Sequence, residues 1–143
     1  MTIKSLLVFS VMTLCFTPSM CQEAKQKNHE TERDRPMVRM AEIEIDSDYV
    51  QEYISILQIE ADKSVELEPG VICIYPMFVK ENPTSIRLLE IYASKEAYES
   101  HLQTPHFKHY KEVTLKMVKH LKLIDMEAIS PAHMPIIFKK LNP

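Results

Sequence analysis

The 143-residue chain has no tryptophan, one glycine, three cysteines and no long run of positive charge. Each shortage removes a class of function. A loop that cradles phosphate needs several glycines close together, so the single Gly70 excludes both the P-loop and the dinucleotide fingerprint. Cys15 and Cys21 lie in an N-terminal segment expected to be removed, which leaves Cys73 alone. A lone cysteine forms no internal disulfide, and no metal-spaced cysteine pair exists. No nucleophile elbow and no Ser-His-Asp spacing is visible. With 17 basic against 20 acidic residues, the chain offers no electrostatic footprint for nucleic acid.

The first residues set the expected compartment. Lys4 precedes an apolar run from Leu6 to Phe16, and Pro18, Ser19, Met20 and Cys21 follow. A positive start, a short hydrophobic stretch and a small-residue exit read as a secretory signal peptide over residues 1–21. The mature protein is then exported, periplasmic or extracellular. Two rival readings make Cys21 a lipid-modified cysteine or leave the segment as an uncleaved anchor. The apolar run is too short to span a bilayer comfortably, so no membrane span is expected after cleavage. Cleavage leaves 16 basic against 20 acidic residues. Residues 22–36 are polar throughout and read as a disordered linker.

The ordered domain is expected over residues 37–129. "MVRMAEIEID" (37–46) alternates as a strand does, with Arg39, Ala41, Ile43 and Ile45 on one face. Ser47 is a candidate N-cap. Val50, Tyr53, Ile54, Leu57, Ala61 and Val65 recur at helical spacing, which predicts a helix over 48–66. "EPG" (68–70) ends it, with Gly70 expected where positive φ or close backbone approach is needed. Strands at 71–80 and 86–94 flank the turn "ENPTS" and predict a hairpin. Ser94 caps a short helix at 95–102. Thr104 and Pro105 form an N-cap and N1 pair that opens a second helix to about Lys119. "HLKLIDMEAI" (120–129) is the last strand. The tail, 130–143, is expected to be irregular and to pack on a neighbouring surface.

The order β-α-β-β-α-β predicts an α+β, ferredoxin-like unit, an antiparallel sheet with its helices on one face. Strand 71–80 is apolar on both faces. The uncovered sheet face therefore predicts a homodimer through that face.

Three of the six histidines fall in "HLQTPHFKHY" (101–110). His106 and His109 stand three apart, but no carboxylate or cysteine accompanies them at ligand spacing, so no metal is expected. Helical spacing turns His109 to solvent. His101 and His106 flank the break between two helical segments. There, imidazoles either tie down loose backbone groups or move protons near neutral pH. Glu90 shares its strand face with Ile86, Leu88 and Tyr92. A carboxylate among apolar residues is costly unless paired or protonated, which makes Glu90 either an acid/base candidate or the partner of Arg39, a lysine or a histidine. Arg39 and Glu42 also suit a strand edge blunted by charge. Tyr75 and Tyr92 point phenols either into a pocket or into the core, and Tyr110 shares a helical stripe with His106, Val113 and Met117. Together these residues predict an apolar cavity between sheet and helices, fringed by one Glu, one or two His and several Tyr.

"VRMAEIEID", "LEPGV", "LLEIYASKEAYESHLQTPHFKHYK" and "MVKHLKLI" resemble the antibiotic biosynthesis monooxygenase (ABM) domain family. The resemblance covers about residues 38–128, and its most specific part is the run E-x-Y … A-Y-x-x-H-x-x-T-P-H-F. It implies a dimeric α+β barrel in which two ferredoxin-like sheets face each other, with a ligand cavity in each subunit. Some members of that family oxidise quinol-like or polyketide aromatics with O₂ and no cofactor. Others cleave haem with the help of a pocket tryptophan, which this chain lacks; one branch isomerises a phosphorylated signal. Carried over by position, the resemblance points to Glu90, Tyr92, His101, His106 and Phe107.

Three functions follow as expectations. The first is a cofactor-independent monooxygenase acting on a small hydroxyl-aromatic or quinol-like molecule. His101 or His106 deprotonates the substrate, and Glu90 orients the histidine. Tyr92, Phe107, Tyr75, Arg39 and Tyr110 contact the substrate. The second is an exported small-ligand-binding protein on the same fold, with Glu90 and His101 as a buried structural pair. The third is an isomerase or lyase using the same proton transfers.

Overall fold

The computed structural model describes residues 35–141. The signal peptide and nearly all of the linker lie outside the described residues. Four strands form one antiparallel sheet: β1 (Met37–Ile45), β2 (Val71–Val79), β3 (Asn82–Tyr92) and β4 (Val118–Met126), in the spatial order β2-β3-β1-β4. The helices α1 (Val50–Leu67), α2 (Lys95–His101) and α3 (Pro105–Thr114) cover one face. This is the ferredoxin-like arrangement the sequence predicts, with the second helix broken into α2 and α3.

The alternation along β1 decides which face is covered. Ala41, Ile43 and Ile45 are buried beside Ile86, Leu88 and Tyr92 of β3 and Ile74 of β2. Tyr53, Leu57 and Ala61 of α1 close over them. Full burial of a Leu or Ile side chain stabilises the fold by about 1.5–3 kcal/mol, so this shared layer fixes both strand register and helix placement. Pro76 interrupts β2 without breaking the sheet because β2 is an edge strand.

Local chemistry sets the joints. The Asp46 carboxylate, rather than Ser47, accepts the Asp48 N–H at 3.0 Å and opens the turn into α1. Gly70 does not adopt positive φ. Its need is space: a Cβ there would lie 2.5 Å from Cβ of Ala97, so only glycine lets α2 approach the strand. Ser94 and Thr104 cap α2 and α3 as predicted, through bonds from Ala97 N and Phe107 N. α3 stops at Thr114 rather than near Lys119, and β4 starts two residues earlier than expected.

The tail differs from expectation. Residues 134–141 form a helix, α4 (Met134–Leu141), after a short 3₁₀ turn at Pro131–His133. Pro131 and Pro135 fall in first turns, where a missing N–H costs nothing. Ile136, Ile137, Phe138 and Leu141 of α4 are exposed. Among the described residues, no helix is long and apolar enough to cross a membrane.

Candidate active site

The buried stripe of α1 begins apolar and ends polar. Tyr53 and Leu57 lead to Glu60 and Ser64, and Glu68 follows one turn later at the helix end. Ser64 Oγ donates to Glu60 Oε1 at 2.8 Å, fixing that carboxylate inside the protein, where it is 4% exposed. Burial pushes the Glu60 pKa up; the Ser64 bond and the two histidines oppose this.

The break between α2 and α3 brings two imidazoles to the same carboxylate. Thr104 Oγ1 donates to the His101 carbonyl at 2.8 Å while accepting from Phe107 N–H. That knot leaves His101 in the last turn of α2 and His106 in the first turn of α3. Glu68 Oε1 lies 2.9 Å from His101 Nδ1 and 2.6 Å from His106 Nε2. An ionised carboxylate only accepts, so this geometry puts a proton on each of those nitrogens and leaves His101 Nε2 free. That Nε2 lies 3.7 Å from Glu60 Oε1. The His101 ring is 2% exposed and packs against Phe107 and Tyr92, with centroids 4.6 and 5.5 Å away.

These groups border a cavity of about 540 Å³ between sheet and helices, within the range of small-molecule sites. Glu60, Glu90, Tyr92 and His101 contribute its chemistry. Burial pushes the Glu90 pKa up to about 7; Arg39, opposite it on β1, draws it down, and Glu60 adds to the rise. Arg39 itself bonds Asp125 at 2.7 Å and lies over the Tyr98 ring. Burial first, then neighbouring carboxylates, raises the Tyr92 pKa. The Tyr92 hydroxyl is buried and has no hydrogen-bond partner among the described residues. An orphaned phenol on a cavity wall is a group prepared for a ligand. Tyr53 and Tyr110 share a 2.6 Å hydroxyl bond on the opposite wall, and burial pushes the Tyr53 pKa up to about 12.

Residues 36–113 match the antibiotic biosynthesis monooxygenase family. The chain belongs to this family. A protein from Bacteroides thetaiotaomicron VPI-5482 that carries the antibiotic biosynthesis monooxygenase name is 47% identical; the likeness covers 68% of this chain and 92% of that one, with a TM-score of 0.67. An uncharacterized protein of Synechocystis sp. PCC 6803 is 31% identical over 113 residues, or 77% of this chain and 70% of its own. A Caulobacter crescentus CB15 protein bearing the same monooxygenase name is 21% identical, covers 71% of this chain and 98% of its own, and has a TM-score of 0.63. At that identity it speaks for the fold alone.

The matched ABM region holds Glu60, Glu68, Glu90, His101 and His106. Of the residues singled out in the sequence, His101, Glu90, Tyr92, Phe107, Arg39 and Tyr110 line the cavity. His106 stands behind it, on Glu68. His109 is exposed as expected. Two expectations need correction. Tyr75 pairs with Leu89 on the sheet face away from the helices and is 60% exposed, so it does not line this cavity. Glu90 does not hold either histidine; Glu68 does. Glu60 and Glu68 arrive from α1, so no ligand spacing along the histidine segment reveals them. One ligand atom from each of Glu60, His101 and His106 lies within 4.8 Å of the other two.

Proposed function

We propose that this ABM-family chain is a monooxygenase that oxidises a small hydroxyl-aromatic, quinol-like molecule with O₂, needing no metal or flavin. The observation that supports it is the buried Glu68–His101 pair, in which Glu68 holds Nδ1 of a cavity-lining histidine and Nε2 lies on the side of Glu60, another cavity-lining residue. A base whose second nitrogen is held by a carboxylate keeps one tautomer and stabilises the imidazolium it becomes. His101 Nε2 takes the phenolic proton. The electron-rich phenolate then passes one electron to O₂, and the resulting pair recombines at a ring carbon. Loss of water leaves a hydroxylated quinone. One oxygen atom enters the ring, and the other departs as water with the two hydrogens the quinol gives up. Tyr92 supplies a free hydroxyl to the substrate or to reduced oxygen, and Glu90, with its pKa near neutrality, is placed to return a proton.

Oxygen uptake with a set of quinols tests this. Uptake with matching loss of quinol is the expected result. A quinol that raises the melting temperature yet is never consumed would turn the reading into a binding protein.

The proposal includes a homodimer through the outer sheet face. Tyr75, Met77 and Met126 are exposed there, with Cys73, Leu89 and Ile124 partly covered. This apolar face is what the wild type is expected to bury as a dimer in sedimentation. Tyr75→Glu is expected to shift the protein toward monomer, and a wild-type monomer at micromolar concentration would contradict the interface.

A further inference from the structure

The Glu60, Glu68, His101 and His106 cluster carries a second chemistry, beyond the oxidation proposed above. We infer that it is a site for a divalent transition metal of the zinc class, ligated by Glu60, His101 and His106 and braced by Glu68. The three ligand atoms already lie within 4.8 Å of one another. Bonds of about 2.0–2.2 Å in a tetrahedral zinc site set ligand atoms about 3.4 Å apart. Closing the cluster therefore takes about an ångström of side-chain movement.

Three features make this a built site. First, His101 keeps Nδ1 on Glu68 at 2.9 Å and turns Nε2 to Glu60 at 3.7 Å. A carboxylate on one nitrogen aiming the other at a metal is how ligating histidines are usually held. Second, the Ser64 hydroxyl fixes Glu60 Oε1. Third, Glu60 and Glu68 are both nearly dry, and among the described residues their ion pairs are with the two histidines alone. Two imidazoles with carboxylate oxygen favour the iron-to-zinc series over magnesium or calcium. Three protein ligands leave a fourth position, and Glu60 and His101 both line the cavity, so that position opens where a substrate hydroxyl would sit. Occupancy takes the nitrogen that the proposed oxidation uses, so zinc is expected to inhibit it.

The test titrates metal-stripped full-length protein with Co²⁺ alone, reading visible d–d absorption and binding heat. One cobalt per chain is expected, displaced by Zn²⁺. His106→Ala and Glu60→Gln should abolish the signal while circular dichroism stays native. Glu68→Gln should weaken binding about 10–100-fold. Should His106→Ala fail to fold, His106→Gln gives the same reading. No cobalt signal from folded wild type overturns the inference, as does an undiminished signal in both ligand variants. Oxygen uptake on the same stripped sample separates the two proposals. Uptake without cobalt binding removes the metal site and leaves the oxidation; cobalt binding without uptake does the reverse.

Discussion

His101→Ala is expected to lower kcat/KM for quinol oxidation about 10³-fold, the usual worth of a positioned general base. The loss should fall on kcat, because Phe107, Tyr92 and Tyr110 still shape the cavity. Added imidazole should restore part of the rate. Removing the ring also takes the histidine partner from Glu60 and leaves Glu68 with His106 alone, so folding must be checked alongside. Glu68→Gln is the gentler probe. It keeps the shape of the pair and removes the charge that fixes the His101 tautomer. In an H101A background, E68Q should cost the oxidation nothing further, since the part of Glu68 in that reaction runs through His101. A full, independent loss from both would mean that Glu68 does something else.

Glu90→Gln is expected to stabilise the protein at alkaline pH. Burial raises the folded-state pKa of Glu90 from 4.5 to about 7. The folded protein therefore binds this proton more tightly than the unfolded chain. Below about pH 4.5 both states are protonated, and Glu90 and its glutamine variant should be equally stable. As pH rises toward 7, the wild type loses stability because a carboxylate must ionise in a poorly solvated wall. Above pH 7 the variant should lead by up to about 3 kcal/mol, since each pKa unit is worth about 1.4 kcal/mol. Denaturant unfolding at pH 4 and pH 8 reads this directly. A variant less stable than wild type at pH 8 would mean that Glu90 is paired rather than exposed to the cost of burial. The same property keeps Glu90 half protonated near neutrality, as a proton-returning group requires.

Much of the fold is legible because local rules and packing agree. The alternation of β1 names its buried face, and Ser94 and Thr104-Pro105 mark both helix starts. The site is legible only in part. Glu90 carries a visible signal as a carboxylate on an otherwise apolar strand face, His101 as an imidazole flanking a marked helix break, and Tyr92 as a phenol on the same face as Glu90. Glu60 and Glu68 carry one as well: they continue the Tyr53–Leu57 stripe at helical spacing. Tracing that stripe through apolar residues alone turns it toward Ala61 and Val65 and misses them. Their partners lie more than 30 residues downstream, so no window along the chain joins them. Tyr75 defeats the sequence for another reason. β2 is apolar on both faces, which removes the period-two signal, and an irregularity between Val71 and Cys73 shifts the alternation. The α4 helix was hidden by prolines that sit where a helix tolerates them.

On the proposed reading, the chain's own residues suffice to put one oxygen atom of O₂ into a hydroxyl-aromatic ring. The most direct measurement is mass analysis of the product formed by metal-stripped enzyme under ¹⁸O₂. One labelled atom in the quinone product, the other in water, and a rate unchanged by chelator are expected. An unlabelled product, or turnover that appears only when metal is returned, would contradict it.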